Sequence, residues 1–199
     1  MRIIAGEFRG RKLLGPQGPA TRPVTDRVKQ SLFDILAPSI PGAVVYDCFA
    51  GTGSMGLECL SRGAERVLFF EFDPNAAAIL RRNVQALGLS ARSRIVTADL
   101  FGWAGSASPP ARPIDLLFLD PPYRFLTERP LDMQKLAATL AEQHLSENAI
   151  VVFRHAADAA LDLPPLLRYD QRSYGSMTVD FLTCQSTPTS TSPPPTPHE

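Results

Sequence analysis

Long apolar runs, cysteine, histidine and net charge are all scarce in this chain, and each scarcity removes a class of protein. No apolar stretch approaches the ~20 residues a helix needs to cross a bilayer, and Met1-Arg2-Ile3-Ile4 does not resemble a secretion signal. A cytoplasmic protein without a membrane partner is expected. Cys48, Cys59 and Cys184 are the three cysteines, and no Cys-x-x-Cys spacing joins them, which argues against a disulfide framework or a zinc site and for buried small hydrophobes. His144, His155 and His198 make no ligand spacing, so no metal is expected. Twenty basic residues balance twenty acidic ones, which argues against a generic polyanion binder. The balance is uneven, however: residues 1–36 hold seven basic residues against three acids, a net of +4, and the remainder is −4.

What is present is enough for one core. A chain of 199 residues with 44% hydrophobic content supports a single domain with appendages. Residues 1–20 read as a basic arm, with Ile3 to Leu14 forming a glycine-turned β-hairpin too short to own a core. Thr25 can N-cap a helix in which Val28, Leu32, Ile35 and Leu36 face inward while Arg27 and Lys29 point elsewhere. From Ala43 onward strands and helices alternate: strands at Ala43–Phe49, Arg66–Phe72, Arg94–Ala98, Ile114–Leu119 and Ala149–Arg154, helices at Ser54–Arg62, Pro74 to Gly88 and Leu131–Gln143. A closing hairpin follows, Leu167–Tyr174 and Met177–Cys184. This order implies an α/β protein whose mostly parallel sheet is covered on both faces. Residues 185–199 contain five prolines and seven Ser or Thr, and read as a disordered tail.

The most informative stretch is Leu116-Leu117-Phe118-Leu119-Asp120-Pro121-Pro122-Tyr123. A strand buried on both faces must stop at Pro121, which has no N–H for a ladder. A carboxylate, a carbonyl on a rigid frame and an aromatic ring then meet at the strand's carboxyl end, where open parallel sheets bind ligands. This trio suits a flat base with an exocyclic amine: Asp120 and the Pro121 carbonyl accept its two hydrogens, and Tyr123 stacks on its ring. In isolation the same residues would make an ordinary strand-end turn. Upstream, Gly51, Gly53 and Gly56 form a Gly-x-Gly-x-x-Gly turn at a helix N-terminus, which alone is weak evidence. Glu71 follows 20 residues after Gly51, where a carboxylate can take both hydroxyls of a ribose. Asp99 closes the third strand and can accept from an adenine amine. Asp47, four residues before the first glycine, would sit badly beside a pyrophosphate and well beside a cation, which favours S-adenosyl-L-methionine over a dinucleotide.

Several segments together, Met1 to Gly6, Arg9 to Leu13, Thr21 to Val28, Asp47 to Ala64 and Phe118 to Tyr123, resemble the RsmD family of bacterial methyltransferases, and the similarity covers about residues 1–184. The resemblance implies a Rossmann-like, S-adenosyl-L-methionine-dependent methyltransferase domain over residues 21–184 with a seven-stranded sheet, and a guanine N2 of 16S ribosomal RNA, or the small-subunit particle, as substrate for a monomeric enzyme. The implied cofactor residues are Asp47, Phe49, Ala50, Gly51, Gly53, Glu71, Phe72, Asp99 and Leu100. Asp120, Pro121 and Tyr123 are the implied catalytic residues, and Arg2, Arg9, Arg11, Lys12, Arg22 and Arg27 are expected to meet RNA. Cys48, Cys59 and Phe72 depart from the family's usual residues, and the tail is extra. Two rivals are a DNA adenine-N6 or cytosine-N4 methyltransferase, for which no groove-reading element is apparent, and a non-catalytic RNA-binding assembly factor of the same fold, against which Asp47, Glu71 and Asp120 are all present. Trp103 is expected to pack under the loop after strand three, and Arg124 to Pro130 reads as a loop.

Overall fold

Hydrophobic residues on both sides of five strands force the sheet into the middle of the molecule, and the computed structural model, which describes residues 1–15 and 25–184, has that layout. The sheet has seven strands: β1 (Val44–Cys48), β2 (Arg66–Phe70), β3 (Ser93–Val96), β4 (Ile114–Leu119), β5 (Leu145–Ala156), β6 (Leu167–Tyr174) and β7 (Met177–Thr183). Their order is β3-β2-β1-β4-β5-β7-β6. The first five run parallel and β7 is antiparallel to both its neighbours. The helices are α1 (Asp26–Leu36), α2 (Ser54–Ser61), α3 (Pro74–Ala86), α4 (Leu100–Ser106), α5 (Arg124–Glu128) and α6 (Pro130–Gln143). No helix among the described residues is long and apolar enough to cross a membrane.

Alternation along the strands builds two cores. Val45, Val67, Phe69, Leu116, Phe118 and Val152 face α1, α2 and α3, where they meet Leu32, Phe33, Leu57, Leu60 and Leu80. Val44, Tyr46, Phe70, Leu117, Leu119 and Val151 face α4 and α6, against Leu100, Met133, Leu136 and Leu140. Gly56 sets the spacing of α2 on the sheet, because a Cβ there would stand 2.3 Å from the Phe69 ring.

Several expectations are corrected. In α1 the buried residues are Lys29, Leu32, Phe33 and Leu36, while Ile35 is exposed. Lys29 points inward because a buried carboxylate awaits it: its Nζ lies 2.9 Å from Glu58 Oε2 of α2. The arm folds back on itself without forming a regular strand ladder. Its one β-bridge, Arg2 to Lys12, is flanked by three bonds across the arm, from the Ile3, Gly10 and Leu13 N–H groups to the Arg11, Ile3 and Met1 carbonyls (3.0, 2.9 and 3.1 Å), while the residues between them turn onto the body. Glu58 accepts from the Ile4 and Ala5 N–H groups (2.8 and 2.9 Å) and Ser61 Oγ from the Phe8 N–H (3.0 Å). Gly6 is required there, since a Cβ would fall 1.9 Å from the Ser61 carbonyl oxygen. Ile3 and Leu13 enter the first core. The stretch read as a loop after Tyr123 contains the short helix α5, and α4 was not anticipated. Trp103 of α4 packs between Phe70 and His144, at ring centroid distances of 4.5 and 5.5 Å. The expected tail and Arg22 lie outside the described residues.

Candidate active site

Strand order reverses between β1, whose partner β2 lies on one side, and β4 on the other, so a crevice opens at the carboxyl ends of these two strands. The chain places Asp47 and Asp120 on its two walls. Both face α1 and α2: Asp47 alternates with Val45, and Asp120 with Phe118.

Asp47 is buried, and its Oδ2 accepts from the Gly56 N–H at 2.8 Å. Burial, with repulsion from Asp120 and Glu71, pushes its carboxyl up to about 8. Phe49 then takes a positive φ of 63°, and the chain turns through Gly51 and Gly53, at φ 56° and 86°. A side chain at Gly53 would collide with Leu80, whereas nothing stands within 4 Å of the Cβ position at Gly51. The turn therefore presents bare backbone to the crevice at Gly51, which suits close approach of a ligand. Glu71, just beyond β2, grips this turn with one oxygen on the Gly51 N–H (2.7 Å) and the other on the Asp73 N–H (2.7 Å). Burial raises its pKa despite those two donors. Phe72 projects into solvent beside it, 73% exposed. Ala50 donates its N–H to the Phe70 carbonyl at 2.8 Å. Asp99 is exposed and caps α4 by accepting from the Phe101 N–H at 3.2 Å. Leu100 is buried in the second core, so only its backbone reaches this edge.

Asp120 is the next residue after β4. Arg154 stands beside it, with Nε 2.5 Å from Asp120 Oδ1. Pro121 is buried, and no donor among the described residues meets its carbonyl, while the Pro122 carbonyl takes the Phe125 N–H at 2.8 Å. Tyr123 is 40% exposed at the start of α5. An aromatic layer closes the other side of the turn: Phe49, Phe101 and Phe125 lie about 6 Å apart, and Arg129 caps Phe101 at 4.1 Å.

One contact of this site is written in the strand register, and another is not. Phe118 pairs with Val152 in the parallel β4–β5 register, so two residues on, Asp120 and Arg154 must stand side by side on one face. The Arg129 to Phe101 stack joins segments 28 residues apart and gives no local pattern.

The basic residues divide. Arg2 pairs with Asp26 (Nε to Oδ2, 2.7 Å) and Arg11 reaches the Ala86 carbonyl at 3.3 Å. Arg9 and Lys12 are exposed. Arg27 lines an open groove of about 630 Å³ with Ser31, Asp34, Arg172 and Tyr174, between α1 and β6.

A seven-stranded sheet in this order, with a glycine turn after β1 and Asp-Pro-Pro-Tyr after β4, defines a Rossmann-like methyltransferase. The model of the family described as conserved hypothetical protein 95 matches residues 1–183, and the chain belongs to that family. Ribosomal RNA small subunit methyltransferase D of Escherichia coli is 38% identical over 73% of this chain and 72% of its own length. Among solved structures, yhhF from Escherichia coli superposes with a TM-score of 0.79 at 28% identity, covering 94% of this chain and 98% of that one. An RNA methyltransferase from Salinibacter ruber, solved with S-adenosyl-L-homocysteine, shares the fold at a TM-score of 0.62 and 21% identity over 84% of this chain and 97% of that one.

Proposed function

We propose that this protein transfers a methyl group from S-adenosyl-L-methionine to the exocyclic N2 amine of a guanine in 16S ribosomal RNA. That it is a ribosomal RNA methyltransferase rests on its family and on the named relative it resembles over most of its length. The finer reading rests on the single observation that an acidic side chain and a carbonyl that no donor among the described residues meets, Asp120 and Pro121, stand together beside the glycine turn with Tyr123 half exposed next to them.

The residues present fit the cofactor. Gly51 leaves open space at its backbone, Glu71 is a half-buried acceptor beside it, and Asp47 is a buried carboxyl that a ligand carrying an ammonium and a sulfonium would ionise. When bound, the cofactor supplies a methyl carbon on a sulfonium, which becomes a neutral thioether as the new N–C bond takes up the amine lone pair. Asp120 and the Pro121 carbonyl each accept one amine hydrogen. That draws the nitrogen from planar toward tetrahedral geometry and frees its lone pair. Catalysis of this kind is positioning and electrostatics rather than strong base chemistry; one amine proton leaves afterward to Asp120 or water. Tyr123 replaces the stack the base gives up on leaving its RNA neighbours. The target chemistry needs one active chain, and we take the enzyme to act as a monomer.

The test is to incubate purified protein and labelled S-adenosyl-L-methionine with small-subunit particles from cells lacking this activity, then map the methylated nucleoside. Label in N2-methylguanosine of 16S RNA supports the reading. Label in duplex DNA, or in no nucleic acid, overturns it. The Asp120→Ala variant should lose at least ~10²-fold in turnover while its affinity for S-adenosyl-L-homocysteine stays near wild type.

A further inference from the structure

The reading above asks Asp120 to remain an acceptor, yet its surroundings favour the opposite. The wall behind it is apolar: Val28 and Leu32 of α1, Met55 of α2, Phe118 of β4, Val152 of β5, and Met177 and Val179 of β7 line a cavity of about 20 Å³. The titratable or charged groups that face it are Asp47 of β1, Tyr123 of its own loop and Arg154 of β5. Of these only Arg154 is cationic, and it touches one carboxylate oxygen, leaving the second without a protein donor among the described residues. Arg154 is held in turn. Its backbone pairs with Val179 of β7, and its Nη1 rests on Met177 Sδ at 3.7 Å.

Resting on that proposed reading, we propose that Arg154 is a positioning residue that holds Asp120 as an ionised acceptor with one oxygen turned to the base, and thereby selects a base presenting an amine over one presenting a carbonyl. A protonated Asp120 could donate to a carbonyl; an ionised one can only accept, and it repels a carbonyl oxygen. Burial raises the Asp120 pKa, and the Arg154 guanidinium works against that rise. Losing the guanidinium therefore extends the protonated form to higher pH.

The experiment measures kcat/KM against pH on small-subunit particles for wild type, Arg154→Met, Arg154→Gln and Arg154→Lys, with S-adenosyl-L-homocysteine affinity measured in parallel. The Met and Gln variants should move the acid limb upward by about one pH unit or more, recovering most activity on the alkaline side. Lys should restore most of the wild-type limb, and ligand affinity should change less than ~2-fold throughout. An unmoved acid limb, or an equal loss at every pH, would overturn the role even if one variant folds poorly, because the other two report the same limb. The outcome separates from that of the reading beneath it: full activity in Asp120→Ala would sink the reading, whereas an inactive Asp120→Ala beside a wild-type limb in both neutral Arg154 variants would sink this proposal alone.

Discussion

Asp47 is a residue whose chemistry departs far from that of an ordinary aspartate. Its carboxyl, pushed up to about 8 by burial, keeps a proton that the unfolded chain gives up near 3.9. The sign follows from linkage: the folded state binds the extra proton between those two values, so its stabilising effect is complete below the lower one and fades as pH rises toward the upper. Asp47→Asn, which keeps an acceptor for the Gly56 N–H, should therefore melt higher than wild type by an amount that grows from about pH 5 to about pH 8 and then levels off. A melting difference independent of pH would show that the residue is already ionised. A ligand bearing an ammonium should ionise Asp47 on binding, so S-adenosyl-L-homocysteine should bind more tightly as pH approaches 8 from below, releasing a proton that calorimetry in two buffers detects. Tyr123 makes a separate case. It is 40% exposed and rides on a short helix, so stacking is the contribution its placement supports. Tyr123→Ala should weaken RNA binding by about 1 to 3 kcal/mol and Tyr123→Phe much less; an equally severe Phe variant would shift the role to the hydroxyl.

At the scale of elements, the decisive contact is the buried pair that ties α1 to α2. Glu58 holds Lys29, Arg62 and two arm N–H groups at once, and these partners outweigh burial to keep its carboxyl below the usual range. Lys29 also bonds the Arg2 carbonyl and Ser54 Oγ, both at 3.2 Å, which links the arm to the first residue of the helix after the glycine turn. Lys29→Ala should cost about 3 to 5 kcal/mol, because it strands a buried carboxylate. Denaturant unfolding checks the value, and a loss under about 1 kcal/mol would mean water or Arg62 fills the gap. The pair was illegible in the sequence for a physical reason. A 3.6-residue pattern assigns lysine to the wet face, and only the placement of α2 supplies the partner that reverses it. β2 and β4 were legible because each holds a short apolar run that an acid closes, Glu71 and Asp120. α4 and α5 were not, since they have seven and five residues and too few turns to show a period. Within the site, the acids at successive strand ends were readable from spacing alone. Arg154 needed the register between two strands.

For the whole molecule, the arm's geometry sorts its cations. Arg2 and Lys12 bridge near Ser54, at the catalytic edge, while Gly6 to Phe8 lie against Ser61, a helix of eight residues and so ~12 Å further on. RNA recognition through phosphates predicts that Arg9, Arg11 and Lys12 replaced together by Ala weaken particle binding and lower its salt slope by about one per lost contact, with ligand affinity intact. Equal binding at two salt concentrations would leave the arm a purely architectural part. The docking of that arm also bears on the order in which the protein is made. Its anchors are Glu58, Ser61 and Asn83, which lie 53 to 69 residues downstream of the groups they hold. The arm is thus made well before the residues that hold it. Until Asn83 has emerged, the cationic arm of the nascent chain is not fully docked, and a transcript stalled before that codon should yield a chain whose arm a protease cuts, while one stalled well beyond it should not.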